Sequence, residues 1–388
     1  MATSFARKDM TPDNWREWPF SRWSFQHVSE FVPVAPITFA TAAEPTPSDQ
    51  GLLSKLDVEH TDQGAMRATS WLAQSNADCC VIMRNGQVLD EWHAPHVDPA
   101  NPHIIFSISK SLTGMLAGLA VADGALDVDA PISRYVEVGA ESAYADATVR
   151  HLLDMSVALD FVEDYEDKTG PFDRYRRSTL WNPQRPGTAR ETLEQVLASL
   201  PRAAGPHGKV FYYASPNTDL AGLVIERATG VRFHEYLAER IWKPMGARGA
   251  SFVTVDAVGT ARAAGGICVT TRDLARFGQL VLDGGRTAAG EQLIPAEWVA
   301  DMRGNGDPQA WKDGNFSSSF ADGRYRSFWY DTGDGRGSFC GIGIHAQWLW
   351  VDPTSRVVIA LTSSRPVASD DAAQKVETHM LGQIARAI

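Results

Sequence analysis

The chain has 388 residues, 44% of them hydrophobic and 21% charged, the proportions of a globular protein with a sizeable core in one large or two interlocked domains. A net charge of −11 disfavours nucleic acid and anionic membrane as partners, and no run reaches the roughly 18 apolar residues of a membrane helix. The amino-terminal stretch lacks the apolar core of a secretory signal. Cys79, Cys80, Cys268 and Cys340 are too few and too scattered for a disulfide scaffold or a zinc ribbon. A cytoplasmic location is therefore expected.

In chain order, residues 1–50 are rich in Trp, Pro and Ser without periodicity and read as an irregular arm. A helix is expected over about 63–76. Asn85-Gly86 separates two strand-like runs, 80–84 and 87–92, and marks a hairpin because both turn positions need positive φ. From Ser107 to Asp123 the sequence is apolar almost all round and carries two glycines, which predicts a buried helix ended by Gly124. A shorter helix is expected at 148–155, then a loop-rich stretch over 156–210. A helical pair follows at 217–229 and 233–242, and another helix at 271–283 with Thr271 as its N-cap. Strands return at Tyr325–Thr332, Gly343–Val351 and Arg356–Thr362, before a closing amphipathic helix over 370–387. Strands from both ends with helices between them predict a sheet-and-helix unit (51–105 and 286–388) holding an inserted, mainly helical one (106–285).

The central chemical clue is Ser107-Ile-Ser-Lys110. Residues i and i+3 share a helix face, so Lys110 can reach the Ser107 hydroxyl. Serine is a poor nucleophile until a neighbour takes its proton. A lysine can do so only if burial lowers its pKa from about 10.4 to near 7, a change of about 4–5 kcal/mol. Of the eight lysines, Lys110 alone has a serine three residues before it, and it sits at the start of the most apolar helix. The plain alternative is a core lysine whose amine reaches the surface. Tyr213, in Tyr213-Ala-Ser-Pro-Asn217, is a candidate proton carrier; a packed tyrosine with Asn217 as helix N-cap explains the same residues. Cys340-Gly-Ile-Gly-Ile-His345 puts two glycines in a strand, which marks close approach of another group or a bulge. An edge strand there could aim an N–H at a substrate carbonyl. Gly-x-Ser-x-Gly, His-Glu-x-x-His and phosphate-loop motifs are absent from the sequence, and His93-Ala-Pro-His96 reads as a surface loop rather than a metal site.

These three elements, in this order, resemble the serine β-lactamase, DD-peptidase and family VIII carboxylesterase superfamily. The likeness extends through Gly124–Pro131, Thr148–Ser156, Ala221–Gly230, Gly265-Gly266 and Thr271–Gly278. Within it the chain is most similar to the 6-aminohexanoate-dimer (nylon-oligomer) hydrolase group, through Arg22–His27, Glu163-Asp-Tyr165, Arg177-Ser178 with Trp181, and Gly341–His345. The resemblance implies an α+β, β-lactamase/DD-peptidase-like fold with an antiparallel sheet flanked by helices. It implies Ser107 as acylated nucleophile, Lys110 as base and Tyr213 as proton relay. The backbone N–H groups of Ser107 and Ile344 would form the oxyanion hole. Substrate would meet Tyr165, Arg176, Trp181, Ala264 and His345. No metal or cofactor is implied, the substrate is a small ester or amide, and a homodimer is left open.

Three departures bear on substrate. The superfamily's Tyr-x-Asn becomes Tyr213-Ala-Ser215, no Lys-Thr-Gly precedes the last strand, and Arg176 and Ala264 stand where the dimer hydrolases carry an acid and a supporting polar group. An arginine repels the substrate's amino end, although Asp173 lies near in sequence. The competing readings are a penicillin-recognising peptidase or β-lactamase, and a catalytically silent binding relative.

Overall fold

The computed structural model describes residues 5–40 and 51–388, so part of the expected arm (1–4 and 41–50) lies outside the described residues. Strand-forming runs from both ends of the chain meet in one seven-stranded antiparallel sheet. Its order is Gln87–His93, Ala77–Arg84, Val357–Ser363, Gln347–Asp352, Phe339–Gly343, Trp329–Asp331, Arg324–Arg326. The middle strands are buried along nearly their whole length, which requires cover on both faces because successive side chains point opposite ways. Helix Thr271–Leu282 supplies one cover, its Gly278 lying against Leu349 and Val358. The closing helix Asp371–Ala387 supplies the other, where Trp348 donates to Glu377 at 2.9 Å. The Asn85-Gly86 hairpin is present, with φ of 51° and 78°.

The predicted central helix runs Ile108–Ala122, and Gly124 follows in the left-handed region at φ 70°. Every residue from Ile108 to Ala120 is buried. Leu112, Met115, Leu116 and Leu119 each gain about 1.5–3 kcal/mol from leaving water. The two glycines earn their place by contact: a Cβ on Gly114 would strike the Ser327 carbonyl, and one on Gly118 the Trp298 ring. A second sheet, in the order Val34–Pro36, Phe252–Thr254, Ile267–Val269, His103–Ile104, feeds its last strand directly into this helix.

Several expectations need correction. The stretch predicted as helix 63–76 starts as a strand, Gly64–Arg67, which pairs with Asp57–His60; only Ala68–Gln74 is helical. Pairing in a hairpin with Asp57–His60, only three residues earlier, overrides helical propensity there. Thr270, not Thr271, caps the next long helix, accepting the Asp273 N–H. The run Tyr325–Thr332 is a hairpin turning at Ser327 and Phe328, and Gly343–Val351 is broken by a turn at 344–346. The loop-rich stretch contains helices Pro171–Ser178 and Leu193–Ala198, the second opened by a Thr192/Gln195 capping box. Among the described residues no helix is long and apolar enough to cross a membrane.

Candidate active site

The strand His103–Ile104 ends at Ile105, whose N–H donates to Ile267, and Phe106 then takes a left-handed φ of 42°. That conformation is uncommon for a bulky side chain. It turns the backbone sharply, so that Ser107 becomes the N-cap of the central helix with its side chain part-buried at the cleft floor. The positive end of the helix therefore faces whatever binds at Ser107.

One turn later Lys110 is only 2% exposed. Its Nζ lies 2.9 Å from Ser107 Oγ, 3.0 Å from Ser215 Oγ and 2.8 Å from the Ala264 carbonyl oxygen. Burial lowers its pKa to about 7; Glu163 and Asp219 pull it up and Arg262 pushes it down. The condition set by the sequence, a dehydrated amine beside one hydroxyl, is met.

Tyr213 lies on the approach to helix Ser215–Thr229, its N–H donating to Asn315 at 3.0 Å and its ring 5.0 Å from Lys110 Nζ. Burial and then Glu163 raise its phenol pKa, against hydrogen bonds with Ser107 and Ser215 that lower it. Asn217 is neither cap nor site residue: it is fully buried and accepts the Tyr144 hydroxyl at 3.1 Å.

The glycine pair of Cys340–His345 marks close approach, but the strand is interior rather than an edge. Phe339–Gly343 pairs on both sides. A Cβ on Gly341 would come within 2.8 Å of Ser111 Oγ, and one on Gly343 within 2.7 Å of the Ile105 carbonyl. The next turn carries Ile344, with His345 and Ala346 both left-handed at φ 61° and 67°. Among the described residues, no protein acceptor takes the backbone N–H of Ser107 or of Ile344.

The remaining expected residues divide. Tyr165, Trp181, Arg176 and Ala264 line the cleft with Ser107. The Tyr165 hydroxyl donates to Glu163 at 2.7 Å, and Trp181 Nε1 donates to Thr254 at 3.1 Å. His345 is buried deeper, edge-on to Phe25, with Nδ1 2.7 Å from the Arg365 carbonyl. Burial depresses its pKa to about 4, so it is a neutral support for the Ile344 turn. Asp173 lies outside the cleft lining and is held by Arg177, Arg185 and Asn182. His96 is engaged with Asp78 at 2.9 Å.

Two groups escaped the sequence reading. Glu163 accepts the Ser215 N–H at 2.8 Å and the Ser215 hydroxyl at 2.9 Å. Behind Ala264, the buried Asp219 pairs with Arg262, accepts the Tyr175 hydroxyl at 2.6 Å and takes the Ala264 N–H at 2.7 Å. These partners lie 43 to 52 positions apart, and nothing local in the sequence announces their contacts.

A beta-lactamase family model matches residues 76–380. The 6-aminohexanoate-dimer hydrolase of Paenarthrobacter ureafaciens is 36% identical over 365 residues, covering 93% of this chain and 90% of that protein. A solved Bacillus anthracis structure, provisionally given the same enzyme name, superposes with a TM-score of 0.90 at 24% identity, covering 99% of this chain and 98% of the other. EstCE1, described as a hydrolase with promiscuous acyltransferase activity, has a TM-score of 0.60 at 15% identity over 80% of this chain and 96% of its own. At those identities the two structures speak to fold alone. The α+β architecture and the resemblance read from the motifs are both borne out, and the chain belongs to the beta-lactamase family of hydrolases.

Proposed function

We propose that the protein is a serine hydrolase that cleaves ester or amide bonds of small linear substrates through an acyl-enzyme, with carboxylesterase activity and a chemistry like that of the 6-aminohexanoate-dimer hydrolase. The observation that carries this reading is the 2.9 Å contact between Ser107 Oγ and a lysine amine whose pKa is depressed to about 7.

A neutral amine has two N–H groups and one lone pair. The Ala264 carbonyl accepts one N–H, and Ser215 Oγ, which itself donates to Glu163, accepts the other. The lone pair is left for the Ser107 O–H. Ser107 Oγ attacks the carbonyl carbon as its proton passes to Lys110, and the backbone N–H groups of Ser107 and Ile344 receive the developing oxyanion. Tyr213, kept protonated by burial, gives its proton to the leaving alkoxide or amine. It recovers one from the neighbouring Lys110 ammonium, whose Nζ lies 5.0 Å from its ring. Water, activated by the same amine, then releases the acid.

Wild-type protein should turn over p-nitrophenyl acetate with an initial burst, and mass spectrometry should find the acyl group or a fluorophosphonate on Ser107. Ser107→Ala should lower turnover by about a thousand-fold or more. Retention of most activity would remove Ser107 from the mechanism.

A further inference from the structure

The cleft beside Ser107 has apolar walls, Phe106, Phe172 and Trp181, and a strongly basic end. Three guanidiniums line it: Arg16, Arg176 and Arg262. Arg262 is neutralised by Asp219. Among the described residues the other two have no carboxylate within ion-pair distance: they donate to neutral oxygens and lie over aromatic rings, Arg16 over Trp15 and Trp181 and Arg176 over Phe172. Arg16 donates to the Trp181 carbonyl at 2.8 Å and to the Asn182 side-chain carbonyl at 2.5 Å. Arg176, 8% exposed, donates to the Tyr165 carbonyl at 3.1 Å and to the Asp167 carbonyl, and its buried Nε has no hydrogen-bond partner among the described residues.

Most of the carboxylates near these charges are committed elsewhere. Glu163 holds Ser215 and Tyr165. Asp167 accepts the N–H groups of Thr169, Gly170 and Phe172 at the start of the Pro171–Ser178 helix. Asp173 is held by Arg177, Arg185 and Asn182. At the outer rim Asp13 pairs with Arg185 and Glu17 with Lys168, and Glu166 is the remaining acid. Burial, and then repulsion from Arg176 and Arg262, lowers the Arg16 pKa to about 9 against the pull of Glu17 and Asp13. Arg176 is buried and Arg16 half-buried, and two such guanidiniums, which keep their protons at neutral pH, are costly unless an anion joins them.

We infer that the cleft takes linear substrates bearing a carboxylate at the far end of the chain, such as half-esters or half-amides of dicarboxylic acids, with that carboxylate seated between Arg16 and Arg176. The inference rests on the proposed serine hydrolase and deepens it by naming a substrate class. The methylene chain lies along the aromatic walls, and the planar guanidiniums match a carboxylate in shape and charge.

The test compares p-nitrophenyl half-esters of glutarate, adipate and suberate with the p-nitrophenyl esters of pentanoate, hexanoate and octanoate, which lack only the terminal carboxylate. At the best-fitting length the half-ester should have a kcat/KM at least about ten-fold higher, the effect of one charge-assisted contact, carried mainly by KM and shrinking with added salt. Arg176→Gln, which keeps an N–H for the loop carbonyls, should pull the ratio towards one. Burst turnover of the neutral esters with no carboxylate preference at any length would overturn the inference and leave the hydrolase standing. If no ester is turned over, the hydrolase reading fails, and calorimetry on Ser107→Ala still decides the pocket. Monomethyl adipate binding about ten-fold more tightly than methyl hexanoate supports it, and equal binding overturns it.

Discussion

The walls behind and in front of Ser107 treat buried positive charge in opposite ways. Behind it, Arg262 is locked to Asp219, and the pair is braced by Tyr175. In front, among the described residues, Arg16 and Arg176 have carbonyl and aromatic-ring partners but no carboxylate within ion-pair distance. Between them Lys110 also lacks an ion-pair partner, but an amine can do what a guanidinium cannot and shed its proton. In the proposed reading, pairing makes a scaffold, deprotonation makes a base, and an unpaired guanidinium makes a seat for an anion. One type of charge yields three outcomes, decided by what stands beside it.

The sharpest way to break the rear wall is Asp219→Asn. It strands Arg262 without a counter-charge, and the expected loss is about 3–5 kcal/mol of stability, read from urea midpoints. A loss below about 1 kcal/mol would mean that the pair is not the scaffold described here.

The middle element is tested by pH. Because the Lys110 pKa is lowered to about 7, its neutral form grows as pH rises through that value. For a neutral ester, kcat/KM should climb about ten-fold per pH unit below 7 and level off above it. Glu163 holds that pKa up, so Glu163→Gln should move the limb to lower pH. A limb that stays in place would show that another group is titrating.

The smallest effect belongs to the front wall. Tyr165→Phe removes the hydroxyl bonded to Glu163, and should cost about 1 kcal/mol of stability and a few-fold in turnover. A much larger kinetic loss, with stability intact, would give Tyr165 a direct role at the leaving group.

What could be read from the sequence was what depends on neighbours along the chain. The i, i+3 spacing of Ser107 and Lys110, the all-round apolar helix and the Asn-Gly turn are local signals, and each appears in the structure. So does the tight contact at Gly341 and Gly343, because a missing side chain in a strand is itself a signal. The failures have different causes. Gly64–Arg67 became a strand through a partner strand, and Glu163 and Asp219 gained their tasks through contacts across the fold. The turn at 344–346 was also hidden, since its left-handed His345 and Ala346 carry none of the usual Gly or Asn punctuation.

The contact at Gly341 and Gly343 acts as a spacer of fixed thickness between a helix and a sheet. Ser107 rides on the helix, while the Ile344 N–H rides on the turn that ends the glycine strand. Their separation is therefore set by a close seam in which glycine backbone meets the Ser111 and Ile108 side chains and the Ile105 carbonyl. With Ser107 and Ile344 acting together as proposed, warming that loosens this seam by a fraction of an ångström would detune activity before the chain unravels, so enzymatic output would serve as a strain gauge for the joint.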